Sequence, residues 1–389
     1  MLYKLKDIFD LQMGKTPSRN NIEYWNTNDY KWVSIADLTK TDKYIYDTKE
    51  YLSKKAVNES GIKIIPANTV IMSFKLSIGK TAITAEDMYS NEAIMAFHDK
   101  HIVEILPEYI FYLFKYKNWD DGSNKAVMGK TLNKAILSEV EIDICSIEEQ
   151  RKIVNVLDKI MNLISARKKE LSYLDTFTKA RFVEMFGDPV INSKNLPVVT
   201  LGELSELITK GASPCWQGFS YTDDSSQTLF ITSENIREGY IDLSSPKYIE
   251  DGFNKKQRRS VICKGDFLIN IVGASIGRAA QFNLDCKANM NQAAALVRVK
   301  DNRIKNKYLL IYLNSDRAKR MYDSMKSDTG RANLSLQDIS DLNILLPAVD
   351  KQIEFENFVA QVDKSKSAVK KALDETQLLF DSLMQEYFG

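Results

Sequence analysis

The sequence predicts a mixed α+β protein: two globular α/β domains separated by two long antiparallel coiled-coil helices, forming an internal repeat with pseudo-twofold symmetry. Three observations predict it. The 389 residues amount to two or three average domains, too many for one simple core. The chain repeats itself, and two stretches of about forty residues lack both Gly and Pro while carrying apolar residues at coiled-coil spacing.

The repeat runs the length of the chain. Leu5-Lys6-Asp7-Ile8 with Gly14 and Pro17 returns as Leu201-Gly202-Glu203-Leu204 with Gly211 and Pro214. Ser77-Ile78-Gly79-Lys80 returns as Ser275-Ile276-Gly277-Arg278, Asn91-Glu92-Ala93 as Asn291-Gln292-Ala293, and Gly129-Lys130 as Gly330-Arg331. The offset is 196 residues between Leu5 and Leu201 and 202 between Glu184 and Glu386, a drift that small loop insertions produce.

Residues 1–145 and 188–347 are read as the globular domains, the latter with its linker. Both mix β-like runs (69–74; 266–271) with helical stretches (about 108–116; about 307–326), punctuated by Gly and Pro. Residues 146–187 and 348–389 are read as the long helices. In the first, Ile153, Leu157, Ile160, Ile164, Leu171 and Leu174 form a seam with Arg167 as its polar member. In the second, Phe355, Val359, Val362, Lys366, Val369, Leu373, Thr376, Phe380, Leu383 and Tyr387 do the same. Each helix would be roughly 60 Å long at 1.5 Å per residue, a spacer or docking rod. Gly187 and Pro189 end the first. Since the second returns from the second domain, their pairing is antiparallel, with the domains expected at opposite ends of the rod.

Composition narrows the function classes. The 53 basic and 52 acidic residues sum to +1, against a protein that holds nucleic acid by bulk charge alone but compatible with one basic face. No run approaches the roughly 18 apolar residues of a membrane span, and charges occupy the opening Met1-Leu2-Tyr3-Lys4-Leu5-Lys6-Asp7, so the expectation is a cytoplasmic protein without membrane contact. Cys145, Cys215, Cys263 and Cys286 show no CxxC, and are expected as reduced thiols in small apolar niches. There is no GxG, no GxxxxGK, no adjacent proline pair and no Pro-Asp, which removes the usual dinucleotide, P-loop, amino-methyltransferase and nuclease signatures. His98 and His101 form HxxH in one repeat only, which favours a surface or packing role over a metal site.

The helix signatures carry a resemblance. The opening Ile147-Glu148-Glu149-Gln150-Arg151-Lys152-Ile153-Val154-Asn155-Val156-Leu157-Asp158 and the close Lys179-Ala180-Arg181-Phe182-Val183-Glu184-Met185-Phe186-Gly187-Asp188-Pro189 resemble the DNA-specificity (S) subunit of type I restriction-modification enzymes. So do Asp363-Lys364-Ser365-Lys366-Ser367-Ala368-Val369 and the ending Gln385-Glu386-Tyr387-Phe388-Gly389. Two departures touch the helix caps: Glu-Gln becomes Lys351-Gln352 in the second helix, and Leu-Pro becomes Ile144-Cys145 before the first. The resemblance implies that each globular domain is a target recognition domain for one half of a bipartite, asymmetric double-stranded DNA sequence. It implies that the paired helices set the spacer and dock two methyltransferase subunits, with motor-nuclease subunits joining them. It also implies a non-catalytic chain without cofactor, S-adenosylmethionine, ATP and Mg²⁺ belonging to the partner subunits. The alternative of another class is a coiled-coil assembly adaptor with protein-binding end domains.

Base readers need paired donors and acceptors, and phosphate contacts need Lys, Arg or small hydroxyls on loops. The Gly-containing loops present in both repeats supply candidates: Lys15, Thr16 and Ser18 with Lys210 and Ser213; Lys75, Ser77 and Lys80 with Ser275 and Arg278; Lys130, Thr131 and Asn133 with Arg331 and Asn333. The competing explanation is that these turns recur because the fold needs them. Lys15, Lys80, Lys130, Arg278 and Arg331 suit phosphate positioning, since charge at these loops is kept between repeats. Base readers are expected where the repeats diverge: residues 20–28 around Trp25, residues 216–221, and Lys255-Lys256-Gln257-Arg258-Arg259, for which the alternative is a solvated turn.

Overall fold

The seams form two uninterrupted forty-residue helices, Ile147–Phe186 and Val349–Phe388. The computed structural model describes residues 1–25, 27–75, 77–119, 132–325 and 333–389. These divide into two compact units, one of residues 1–169 and 370–389, the other of residues 170–369. The division cuts across the sequence segments, because each unit takes half of each long helix.

In the first unit a five-stranded sheet runs in the order Phe9–Met13, Ile94–Asp99, Val70–Ser73, Thr81–Thr84, Tyr44–Ile45, with only the last pair parallel. Val70–Ser73 is buried on both faces. Val70 and Met72 enter the core beneath helix Pro107–Tyr116, while Ile71 joins Ile45, Ala82 and Ala96 on the other face, the period of two that a strand imposes. A three-stranded sheet (Glu50–Leu52, Tyr30–Val33, Tyr89–Ser90) and the pair Leu2–Lys4 with Glu141–Asp143 complete the unit.

The second unit repeats this plan. Its sheets run Ser205–Lys210, Ala294–Val299, Phe267–Asn270, Ala279–Gln281 and Tyr221–Thr222, Tyr248–Ile249, Thr228–Ile231, Ala288–Met290, with the pair Val198–Thr200 and Asn343–Leu345. Phe267 and Ile269 face one core and Leu268 the other. Tyr44–Ile45 is an added strand of the first unit, and Tyr221–Thr222 of the second.

Each core is closed by both long helices. In the first unit Ile153, Leu157, Ile160 and Ile164 pack with Phe380 and Met384; in the second Phe182 and Phe186 pack with Phe355 and Val359. The early half of one helix therefore accompanies the late half of the other in each unit, as antiparallel pairing requires. Leu171, Leu174, Val369, Leu373 and Leu383 are half-buried, and Val362 is buried. The seam also extends beyond the expected residues to Thr178, Phe182, Phe186 and Met384, all buried.

Two expectations need correction. The single helix expected at 307–326 is two, Asn306–Leu313 and Asp316–Met325. Asn314 leaves the helix to exchange hydrogen bonds with both the N–H and the C=O of Ala279 (3.0 and 2.9 Å), and the Ser315 hydroxyl accepts from Ala318 N to start the next helix. The cysteines do not share apolar niches: Cys145 is half-buried, whereas Cys215, Cys263 and Cys286 are exposed. Among the described residues no helix is long and apolar enough to cross a membrane.

Candidate nucleic-acid interface

The repeated loops, far apart in sequence, converge at one end of each main sheet. In the first unit Gly14 N donates to Ile94 O (3.1 Å), Lys15 N to Ser90 O (2.8 Å), Phe74 N to Ala93 O (3.0 Å) and Leu132 N to Phe74 O (3.2 Å). In the second, Ile271 N donates to Ala293 O (3.0 Å), Leu334 N to Ile271 O (2.9 Å), and Val272 bridges Asn333. Gly14 and Gly211 are required by close approach: a Cβ would lie 2.2 Å from Asn91 O in one and 1.9 Å from Met290 O in the other. Residues 77–80 and 275–278 are folded by one buried polar side chain each. The Ser73 hydroxyl donates to Ser77 O and accepts from Lys80 N (3.1 Å), while Asn270 Nδ2 donates to Ser275 Oγ (3.2 Å) and Ser233 O (3.0 Å). Gly14 and Gly211 are thus explained by the fold, as are Asn91 and Asn291, whose side-chain oxygens accept from Ala93 N (3.0 Å) and Ala293 N (3.1 Å), and the charged side chains of these loops are not.

Lys15, Lys80 and Lys210 are exposed and Arg278 is half-exposed; among the described residues none forms an ion pair. Lys15 Nζ donates to Ser60 O, and Lys75 lies 5.2 Å over the Phe74 ring. Thr16 donates to the Glu92 carboxylate. Burial opposes ionisation of Glu92, but the Thr16 bond with Lys75 and Arg19 nearby leaves it below its ordinary pKa. Gln292 takes the equivalent place in the second unit, so the two ends differ by one negative charge at this point. Ser18 and Ser77 are exposed, and Ser213 and Ser275 half-exposed. Asn133 caps helix Lys134–Glu139 by accepting from Ile136 N (2.8 Å), a structural duty, and Asn333 is exposed. Lys130, Thr131 and Arg331 lie outside the described residues.

The divergent segments differ between units. Trp25 is tucked against Trp32 (4.9 Å between centroids) with Arg19 stacked 3.8 Å above it. Trp216 is exposed, as are Lys255, Lys256, Arg258 and Arg259.

A pair of positioning residues escaped the sequence reading. Gln150 and Gln352 are fully buried at the starts of the long helices. Gln150 accepts from Leu106 N (2.9 Å) and donates to Glu104 O and Cys145 O (3.0 Å each); Gln352 accepts from Lys305 N (2.8 Å) and donates to Arg303 O (2.8 Å) and Pro347 O (2.7 Å). Each staples a long helix to the loop before helix Pro107–Tyr116 or Asn306–Leu313. The signal was available, since Gln survives where its neighbour Glu149 becomes Lys351. Because both staples bond to backbone carbonyls, Cys145 serves where Pro347 does.

His98 and His101 are not brought together as ligands. His101 is exposed on a turn at φ 56°, its Nδ1 3.2 Å from Asp99, while His98 lines a cavity of ≈ 670 Å³ at the opposite end of the same strands from the loop cluster. Among the described residues no group of His, Cys, Asp or Glu could hold a metal ion.

Two copies of one α/β unit, each built on part of both long helices and each carrying Lys or Arg side chains at its loop cluster, define an internally repeated protein. The chain belongs to the type I restriction modification DNA specificity domain family, whose model matches residues 1–173 and again residues 194–376. It is similar to the MjaIX type I restriction enzyme specificity subunit of Methanocaldococcus jannaschii, 33% identical over 213 residues, covering 54% of this chain and 48% of that protein. The EcoR124I/EcoR124II specificity subunit of Escherichia coli is 27% identical over 159 residues, 39% of each chain, so these matches span less than half the length of either relative. Among solved structures, the S subunit from M. genitalium aligns over 100% of this chain and 96% of its own with a TM-score of 0.54 at 14% identity. A chain from the work "Structural basis underlying complex assembly and conformational transition of the type I R-M system" aligns over 100% and 97% with a TM-score of 0.62 at 18% identity. At such identities the likeness concerns the fold.

Proposed function

We propose that this chain is the DNA sequence-specificity subunit of a type I restriction-modification complex, each unit reading one half of a bipartite, asymmetric target. The observation that carries the reading is the coincidence of two family-model matches with two equivalent units whose repeated loops gather at the same end of the same sheet. The chain supplies no catalytic group. The paired helices set the spacer between half-sites and dock two methyltransferase subunits, motor-nuclease subunits join that core, and S-adenosylmethionine, ATP and Mg²⁺ are the business of those partners. Exposed apolar side chains on the helices, Tyr173 and Phe177 in one unit and Leu378 and Leu379 in the other, give such partners something to cover.

Mapping of methylated adenines in a strain with and a strain without this chain is expected to reveal one split motif that depends on it. Exchanging residues 1–145 for those of a relative is expected to change one half of that motif and leave the other intact. A change in both halves, or in neither, would refute modular reading.

A further inference from the structure

Two divergent segments, 216–221 and 255–259, form one surface. Trp216 is 88% exposed on the short helix Pro214–Gln217, which follows directly from the Lys210–Ser213 loop. Lys256 Nζ donates to Gln217 O (2.9 Å), Gln257 Nε2 donates to Gln217 Oε1 (3.0 Å), and Phe219 packs edge-on against Phe253 (5.6 Å). These contacts join the helix that bears Trp216 to the turn that bears Lys255, Lys256, Arg258 and Arg259, none of which meets a carboxylate among the described residues. The turn is held from below by a buried polar network. Asn289, fully buried, donates to Asn254 Oδ1 (2.7 Å) and Gln257 O (3.3 Å) and accepts from the Ser260 hydroxyl (2.8 Å). Asn254 in turn donates to Thr228 Oγ1 (2.9 Å). Asp251, the carboxylate nearest in sequence, is occupied by Lys287 and Thr228.

We infer that the second unit grips its half-site through this platform, the Trp216 indole packing against a nucleotide and the 255–259 turn holding the adjacent phosphates. An exposed Trp has a large apolar face with no intramolecular ring partner among the described residues, and four cations near it without carboxylate partners select a ligand that offers both apolar surface, as deoxyribose and thymine methyl groups do, and regular negative charge, which describes duplex DNA. A membrane or an acidic peptide supplies the charge without that regular alternation of sugar and phosphate. Among the described residues the first unit has no such platform, because Trp25 meets Trp32 edge-on with Arg19 lying over both rings, and Lys55 is paired with Glu23 (2.5 Å). Two readers of different half-sites are expected to differ in this way. The inference rests on the proposed specificity role.

The test uses the full chain together with its methyltransferase subunits, comparing wild type with Trp216→Ala, Trp216→Phe and the fourfold Lys255→Ala, Lys256→Ala, Arg258→Ala, Arg259→Ala variant. Duplexes carry the motif mapped in the wild-type strain, or that motif scrambled in one half. Trp216→Ala is expected to weaken binding roughly 10- to 100-fold and relax one half-site, Trp216→Phe to retain most of it, with an unchanged salt slope. The fourfold variant is expected to lower the slope of log K against log salt by up to about 3–4. A mixed-sequence duplex with the full chain alone repeats the salt measurement without any known target. Thermal melts of the Trp216 variants should match wild type, since the side chain is in solvent. If affinity and motif are both untouched by Trp216→Ala, or if that change prevents subunit assembly without DNA, the platform is not a DNA contact. If the wild-type strain shows no split motif dependent on this chain while the fourfold variant still loses duplex binding, the specificity role fails and the platform stands.

Discussion

Each buried glutamine joins three backbone groups of two separate segments through one side chain. Replacing Gln352 by Leu would leave Lys305 N, Arg303 O and Pro347 O without their partner. A loss of about 2–4 kcal/mol is expected, read as a lower urea midpoint for the full chain. At the strand position equivalent to His98 the second unit has Arg298, bonded through two nitrogens to Asp266, which is 2% exposed. The first unit has Thr69 in place of that aspartate, and His98 keeps a buried Nε2 without a hydrogen-bond partner. Burial lowers the His98 pKa, only partly countered by Asp10 across the sheet. The unfolded chain therefore binds a proton more readily than the folded one, and stability present above about pH 6.5 is lost as pH falls toward the folded pKa. His98→Gln is expected to flatten that part of the loss, checked by urea melts of variant and wild type at pH 7 and below 6. Nothing in the sequence distinguished His98 from a surface histidine, because the missing carboxylate lies on a neighbouring strand.

Among elements, the long helices were the most legible, since forty residues of one period leave no competing pattern. The break at Asn314 was not, because it is made by a strand thirty-five residues upstream rather than by a Gly or Pro. The loop clusters were legible as repeats, but their convergence is a property of strand order. The joining of residues 216–217 to 256–257 is tertiary contact with no local mark. Packing decides which helix contacts matter. Phe355 is fully buried against Phe182 and Phe186 (5.6 and 5.4 Å), so Phe355→Ala is expected to cost about 3–5 kcal/mol. Lys366→Ala removes an ion pair with Asp175, which is 66% exposed, and is expected to change stability by less than about 1 kcal/mol. The same denaturant series measures both.

For the whole molecule, the near-zero net charge takes on a specific meaning. With 53 basic and 52 acidic residues, the DNA affinity proposed for this chain would have to come from particular cations, Lys80, Arg278 and the 255–259 turn being the ones proposed. Stability is likewise not shared evenly along the chain. The first unit draws on residues 370–389, including the buried Phe380 and Met384, whereas the second is continuous from 170 to 369. Ending the chain after residue 369 is therefore expected to leave amide exchange in the second unit slow while the first unit loses protection and is cleaved first by protease.

That discontinuity also sets an order of events on the ribosome. Residues 1–169 emerge before residues 170–369 but belong to a core that lacks a wall until residues 370–389 have been made, so of the two units the one begun first is finished second. The later part can close while the earlier one waits with Leu157 and its neighbours uncovered, and that interval is when a chaperone, or the wrong copy of the missing helix from another chain, has its opportunity.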